Sequence, residues 1–158
     1  MATPTYTPIA TQTLGSAAAS ITFSSIPGTY TDLRLVLTAQ QSVGNQPYIS
    51  ISTNFGITFL IGNGSTATSS NVISTSGFGL LAGSSNAAQP YTSIVDFFSY
   101  AGSTYKTILI QTAQDVNGSG NVELAVAMHL STAAITTFTI STSGGNFNAG
   151  TIATLWGI

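Results

Sequence analysis

The chain contains no cysteine and a single histidine, His129. Without cysteine there are no disulfides, no thiolate metal sites and no cysteine nucleophile, and the redox compartment stays open. Charge is almost missing as well. Asp32, Arg34, Asp96, Lys106, Asp115 and Glu123 are the only ionised side chains, 4% of the sequence, against about 25% in ordinary soluble domains. With two cations and a net charge of −2 there is no basic cluster to hold phosphates, so no nucleic-acid partner is expected. A basic membrane-surface helix is excluded on the same ground. No apolar run approaches the ~20 residues of a spanning helix. The opening MATPTYTPIATQTLG lacks the basic start and apolar centre of a secretion signal, so neither secretion nor membrane insertion is expected.

What remains is a sparsely charged, hydroxyl- and amide-rich chain of 158 residues with 43% hydrophobic residues. Its length is that of one domain, and residues 1–158 are read as one. Thr, Ser, Gly, Ile, Val and aromatic residues dominate, which is the vocabulary of strands and turns. Asp32–Ala39 alternates Leu33, Leu35 and Leu37 with Asp32, Arg34, Val36 and Thr38, the pattern of a half-buried strand. Gly120–Leu130 sets Val122, Leu124, Val126, Met128 and Leu130 against Glu123, Ala125, Ala127 and His129. The apolar set is expected to face inward, and Glu123 and His129 outward.

Further strands are expected over Ser20–Ser24, Tyr48–Thr53, Ile57–Ile61, Tyr91–Tyr100, Tyr105–Ala113, Ile135–Ser141 and Thr151–Ile158. Weaker ones are Tyr6–Gln12, Asn71–Ser74 and Phe78–Leu81. Turn signals such as Pro27-Gly28, Gly62-Asn63-Gly64 and Asn117-Gly118 separate them. Gly62–Gly77 and Ala82–Gln89 read as long loops or loosely paired edge strands, and residues 1–13 as an extended N-terminal arm or a first strand. Many short strands with frequent turns indicate an all-β fold: an antiparallel β-sandwich, jelly-roll-like, in a single domain. Its expected core is Phe23, Leu33, Leu35, Leu37, Ile94, Val122, Leu124, Val126, Phe138, Ile140 and Leu155.

The chemistry-bearing residues do not cluster. A metal site needs several ligands around His129, and none accompany it in sequence. Asp96, Asp115 and Glu123 form an acid–base pair only if the fold brings two of them face to face. Asp115 reads as a turn residue and Asp32–Arg34 as a local ion pair. Gly77-Phe78-Gly79-Leu80-Leu81-Ala82 matches a dinucleotide-loop pattern, but no helix follows it. No catalytic, cofactor-binding or metal-binding residue is assigned, no cofactor is expected, and the chain is read as non-enzymatic. Its contact residues are expected among Tyr6, Tyr30, Arg34, Tyr48 and Tyr91, since aromatics and Arg are favoured at interfaces. Trp156 is equally a core and a contact candidate.

Three segments carry a resemblance. They are Leu14–Leu35, with Leu14-Gly15-Ser16 and Ile21-Thr22-Phe23-Ser24-Ser25-Ile26-Pro27 ahead of Tyr30-Thr31-Asp32-Leu33; Tyr100–Thr107, ending Tyr105-Lys106-Thr107; and Ala149–Ile158, ending Leu155-Trp156-Gly157-Ile158. Together they resemble small virion structural proteins of tailed bacteriophages of cyanobacteria and marine bacteria. The resemblance is clearest towards the two ends and weak over Gln40–Gln89, and Trp156 stands where that group carries Tyr. It implies a jelly-roll-like module on the outside of a phage particle. The resemblance implies either capsid decoration (cement) or a tail fibre or spike without deciding between them. A single compact module of 158 residues, with no room for a fibre shaft, makes capsid decoration the expected role, with tail fibre, spike or baseplate as the alternative. The resemblance also implies a homotrimer whose partners are further copies and the major capsid protein or other virion proteins.

Overall fold

The computed structural model describes residues 5–51, 55–74, 77–80 and 89–158. The described elements are twelve strands: β1 (Thr7–Thr13), β2 (Ser20–Phe23), β3 (Leu33–Ala39), β4 (Pro47–Ser50), β5 (Phe55–Gly62), β6 (Ala67–Ser74), β7 (Phe78–Gly79), β8 (Tyr91–Phe97), β9 (Lys106–Asp115), β10 (Gly120–His129), β11 (Phe138–Thr142) and β12 (Ile152–Gly157). Every expected strand has its counterpart. Of the N-terminal segment, Thr7–Thr13 form a first strand while residues 1–4 lie outside the described residues. Within the expected Gly62–Gly77 loop, Ala67–Ser74 form the exposed edge strand β6, residues 75–76 lying outside the described residues. Residues 82–88 of the second expected loop lie outside the described residues, as do Leu81 and Ala82 of the glycine-rich match.

Two antiparallel sheets form a β-sandwich. One has eight strands in the order β1-β12-β3-β8-β9-β10-β5-β6, the other four in the order β2-β11-β4-β7. Pairing is nested: β1 with β12, β2 with β11, β3 with β8, β4 with β7. The β12–β3 and β11–β4 pairs then complete two sheets of four, which is the strand plan of a jelly roll. Two hairpins are inserted into it. β5–β6 leaves after β4 and β9–β10 after β8, and they join through β10–β5 to widen one sheet to eight strands. The β9–β10 turn places Asn117 and Gly118 at φ 51° and 99°. Two consecutive positive φ angles are what a tight hairpin turn of this twist requires, and Asn-Gly meets it at little cost.

Period-two alternation then sorts the side chains. Leu33, Leu35 and Leu37 of β3, Ile108 and Ile110 of β9, and Leu155 of β12 are fully buried. Phe23, Phe138 and Ile140 join them from the small sheet. Aromatic rings run in series through this interior. Phe23 lies 5.3 Å from Phe138, which stacks on Phe97 at 5.2 Å. Phe97 meets Phe78 at 6.5 Å, Phe78 meets Phe55 at 5.2 Å, and Phe55 stacks on His129 at 5.1 Å.

The outcome for β10 reverses the expectation. Glu123, Ala125, Ala127 and His129 face inward at 0–3% exposure, while Val122, Leu124, Val126, Met128 and Leu130 are 42–66% exposed. Ile94, half-buried, shares that outer face through its β3 neighbour Val36. The rings already supply the bulk of the interior, and a close-packed core admits only small residues at the remaining inner positions. Ala125 and Ala127 fit; Leu124 and Val126 are excluded.

One end of the sandwich is tied by the three segments that carry the resemblance. The Tyr100 hydroxyl donates to the Pro27 carbonyl and accepts from the Tyr30 N–H at 3.4 Å. Thr31 and Asp32 N–H donate to the Ile158 carbonyl at 2.8 and 3.2 Å, and Ile158 N–H donates back to Asp32 at 3.0 Å. The Tyr30 ring covers Gly157 so closely that an added Cβ would lie 2.3 Å from it.

Leu35→Ala is expected to cost about 2–5 kcal/mol through lost burial and a cavity, whereas Leu124→Ala should stay within about 0.5 kcal/mol. Urea denaturation of the two variants measures this, and equal losses would contradict the assigned faces. Gly157→Ala is expected to destabilise by about 1–3 kcal/mol through overpacking. Combining it with Tyr30→Ala should cost less than the sum of the two single changes, which a double-mutant cycle reads.

Candidate functional site

The fold does not assemble the carboxylates. Asp96 stands on the outer face of the eight-stranded sheet, opposite Arg34 in register. Glu123 is on the inner face and 3% exposed. Asp115 ends β9 beside the hairpin turn, opposite Gly120. Asp32 accepts a hydrogen bond from Ser99 N–H at 2.7 Å. Asp96 and Glu123 are therefore separated by the sheet itself. Among the described residues, no three His, Cys, Asp or Glu side chains gather as metal ligands.

Arg34 does not pair with Asp32. Its Nε and Nη2 donate to the two Asp96 oxygens at 2.6 and 2.8 Å, in a two-pronged pair between β3 and β8. Nη1 donates to the Tyr6 hydroxyl at 2.9 Å, and the guanidinium sits 5.5 Å from the centre of the Tyr6 ring. Tyr6 in turn meets Trp156 edge-on at 6.5 Å. The hydrogen bonds to Asp96 raise the Arg34 pKa.

The second cation is inside. Lys106 is fully buried, and its ammonium donates to the carbonyls of Gly102 and Thr104, both at 2.8 Å, and of Ser131 at 3.2 Å. Three donors thus meet three acceptors, which is how a buried ammonium is tolerated. Opposite it in register on β10 stands His129. The expectation of an outward His129 is corrected: it is 3% exposed and stacked on Phe55, and burial, then the neighbouring Lys106 charge, lower its pKa.

The outer face of the eight-stranded sheet is the largest feature the sequence did not reveal. Register lines up Leu60, Leu124, Gln111, Ile94 and Val36 in one row across β5, β10, β9, β8 and β3. The next row is Thr58, Val126, Leu109, Asp96, Arg34 and Trp156. Met128 and, on edge strand β6, Ile73 at 83% exposure extend the apolar area. The Arg34–Asp96 pair is the one charged spot in these rows. Exposed apolar areas of this kind occur at protein–protein and membrane contacts and at ligand grooves.

Of the five expected contact residues, Tyr6 and Arg34 lie together at the β1–β12–β3 end of that face. Tyr30 is half-buried over Gly157, and Tyr48 is half-buried on β4 of the small sheet. Tyr91 is withdrawn from the set: it is 2% exposed, accepts a hydrogen bond from Gln41 Nε2 at 3.2 Å, and has its pKa raised by burial. An aromatic at the start of a strand signals burial and contact alike, and only its inward phase, shared with Ser93 and Val95, separates them. No protein-family model, curated protein or solved structure matches the chain.

His129 makes stability pH-dependent with a definite sign. Its folded pKa lies below the 6.5 of the unfolded chain, so above pH ~6.5 it contributes no slope, and stability falls as the pH drops through the folded pKa. Urea midpoints are expected to decrease between about pH 7 and pH 5 in the parent protein, with a shallower decrease in His129→Leu. Parallel slopes would show that His129 is not the group responsible.

Proposed function

We propose that this chain is a structural protein of a bacteriophage particle, a capsid decoration (cement) subunit that works as a homotrimer on the outer shell and bridges copies of the major capsid protein. The carrying observation is the outer face of the eight-stranded sheet, with rows of exposed and half-buried aliphatic residues and one internally neutralised ion pair. Burying such a face against another protein gains about 25 cal/mol for each Å² of apolar area. It also avoids the main penalty of association, because ionised groups are the expensive ones to desolvate. The jelly-roll plan is compatible with this role, since such domains recur in viral capsids, although fold alone does not establish function. The terminal segments add the resemblance already described, and the trimer rests on that resemblance.

Sedimentation of the purified protein tests the reading. A trimer is expected at micromolar concentration, and it should persist in about 1 M salt, where charge–charge attraction is screened out. The Leu124→Lys, Val126→Lys double variant should sediment as a monomer with unchanged unfolding. A monomeric parent protein would refute the assembly. Counting copies in purified particles then separates the shell from the tail: many copies place the chain on the head, a few place it on a fibre, spike or baseplate.

A further inference from the structure

We infer that edge strand β6 pairs antiparallel with β6 of a second copy about a two-fold axis, joining two eight-stranded sheets into one. This contact is separate from the outer-face contact proposed above and does not rest on it. A strand at a sheet edge presents a row of unpaired backbone N–H and C=O groups, and native proteins guard such rows against pairing. Among the described residues the two sheets end in four edge strands, β1 and β6 on one and β2 and β7 on the other. Three of them are guarded. β1 carries Pro8, which has no N–H, and its pairing with β12 shifts register between Pro8 and Ala10. β2 is four residues long, and the Gln12 side-chain amide donates to its Thr22 carbonyl at 2.6 Å. β7 is two residues long.

β6 has none of these guards. Ala67–Ser74 reads ATSSNVIS, eight residues without a proline or an ionised side chain, and seven of the eight are exposed. It runs in unbroken register with β5 from Ala67 to Ser74, with no bulge to turn the edge away. Every second residue of such a strand turns its N–H and C=O away from its one neighbour. Where a guarded edge would carry a lysine, β6 carries Ile73 at 83% exposure and Val72 at 46%.

A second copy is the occupant these features fit. Its β6 is uncharged too, so no ion is desolvated on either side of the contact. Antiparallel pairing of identical strands is closed by its own two-fold axis and stops at two copies, which is how an unguarded edge avoids fibres. Pairing β6 with β1 of the next copy would be head-to-tail, and Pro8 and the register shift of β1 stand against it. The two-fold axis is perpendicular to the sheet, so the outer faces of both copies lie on the same side. Ile73 shares that side with Met128 through Gly56, and the two aliphatic surfaces adjoin across the new strand pair. An eight-residue edge is about 27 Å long and a sheet about 10 Å thick. The pair therefore buries on the order of 600 Å² in total, below the ~1,200 Å² of a stable complex. The contact is weak between free copies and strong between copies already held side by side.

The test uses the full chain with its outer face blocked by Leu124→Lys and Val126→Lys, beside the parent chain. Between about 10 μM and about 1 mM the blocked variant is expected to pass from monomer to dimer in sedimentation. Over the same range, amide hydrogen exchange read by NMR should slow at alternate residues of β6 and stay unchanged in β1 and β2, the period-two mark of strand pairing. Adding Ser70→Lys and Ile73→Lys, both at exposed positions, should raise the dissociation constant about tenfold or more while leaving the unfolding transition in place. If the blocked variant does not fold, the exchange pattern of the parent chain decides. A monomer at every concentration, exchange in β6 indifferent to concentration, or association indifferent to the two β6 lysines would overturn the inference. A parent trimer without β6 protection would refute this contact alone, and β6 pairing in a parent chain that is monomeric at micromolar concentration would refute the outer-face contact alone.

Discussion

Five phenylalanines and one histidine stand in series between the two sheets, from Phe23 through Phe138, Phe97, Phe78 and Phe55 to His129. Each tilted or stacked pair contributes about 0.5–1.5 kcal/mol beyond its burial, and the series links β2, β11 and β7 of one sheet to β8, β5 and β10 of the other. Its larger effect is on volume. The rings fill the interior so far that β10 can offer only Ala125 and Ala127 beneath them, and its branched and thioether side chains are turned to the outside. The apolar outer surface is thus a by-product of an aromatic interior, and the strand meets both demands because its two sets of side chains differ in size as well as polarity.

Four of the six charges are engaged in geometry. Arg34 and Asp96 lock β3 to β8 and orient Tyr6. Lys106 holds the turn before β9 to the segment after β10 through three carbonyls. Asp32 fixes Ser99, which adopts a left-handed backbone with φ 50°. Isolated surface ion pairs contribute little, but a two-pronged pair with one partner nearly buried has an imposed direction, and that direction fixes strand register at the end of the apolar rows.

Much of the fold is legible in local pattern. β3 reads correctly because Asp32 and Arg34 alternate with leucines, so polarity names the inner face. The β9–β10 hairpin reads correctly because Asn117-Gly118 has few other uses. β10 misleads for the opposite reason: its inner face is Glu, Ala, Ala and His, and the evidence for its direction lies in Phe55 and Phe78, far off in sequence and unlinked to it by any periodicity. Arg34 is drawn to Asp32 on the page and to Asp96 in space, 62 residues away. The three segments of the resemblance, by contrast, converge on one end through Tyr30, Asp32, Tyr100, Gly157 and Ile158, so what they most plainly encode is closure of the sandwich.

The nested strand plan has a temporal consequence. β12 is hydrogen-bonded on both sides, to β1 and to β3, and it is made after the other eleven described strands. Until it slides between them, β1 has no neighbour in its sheet and β3 shows an open edge. Local hairpins can form during synthesis, but the pairing with the longest loop to close comes last, and such pairings are slow. A ribosome-bound chain that stops short of β12 therefore cannot finish the large sheet or seat Tyr6 against Trp156. Emergence of β12 becomes the checkpoint that separates nascent chains from chains with a finished surface.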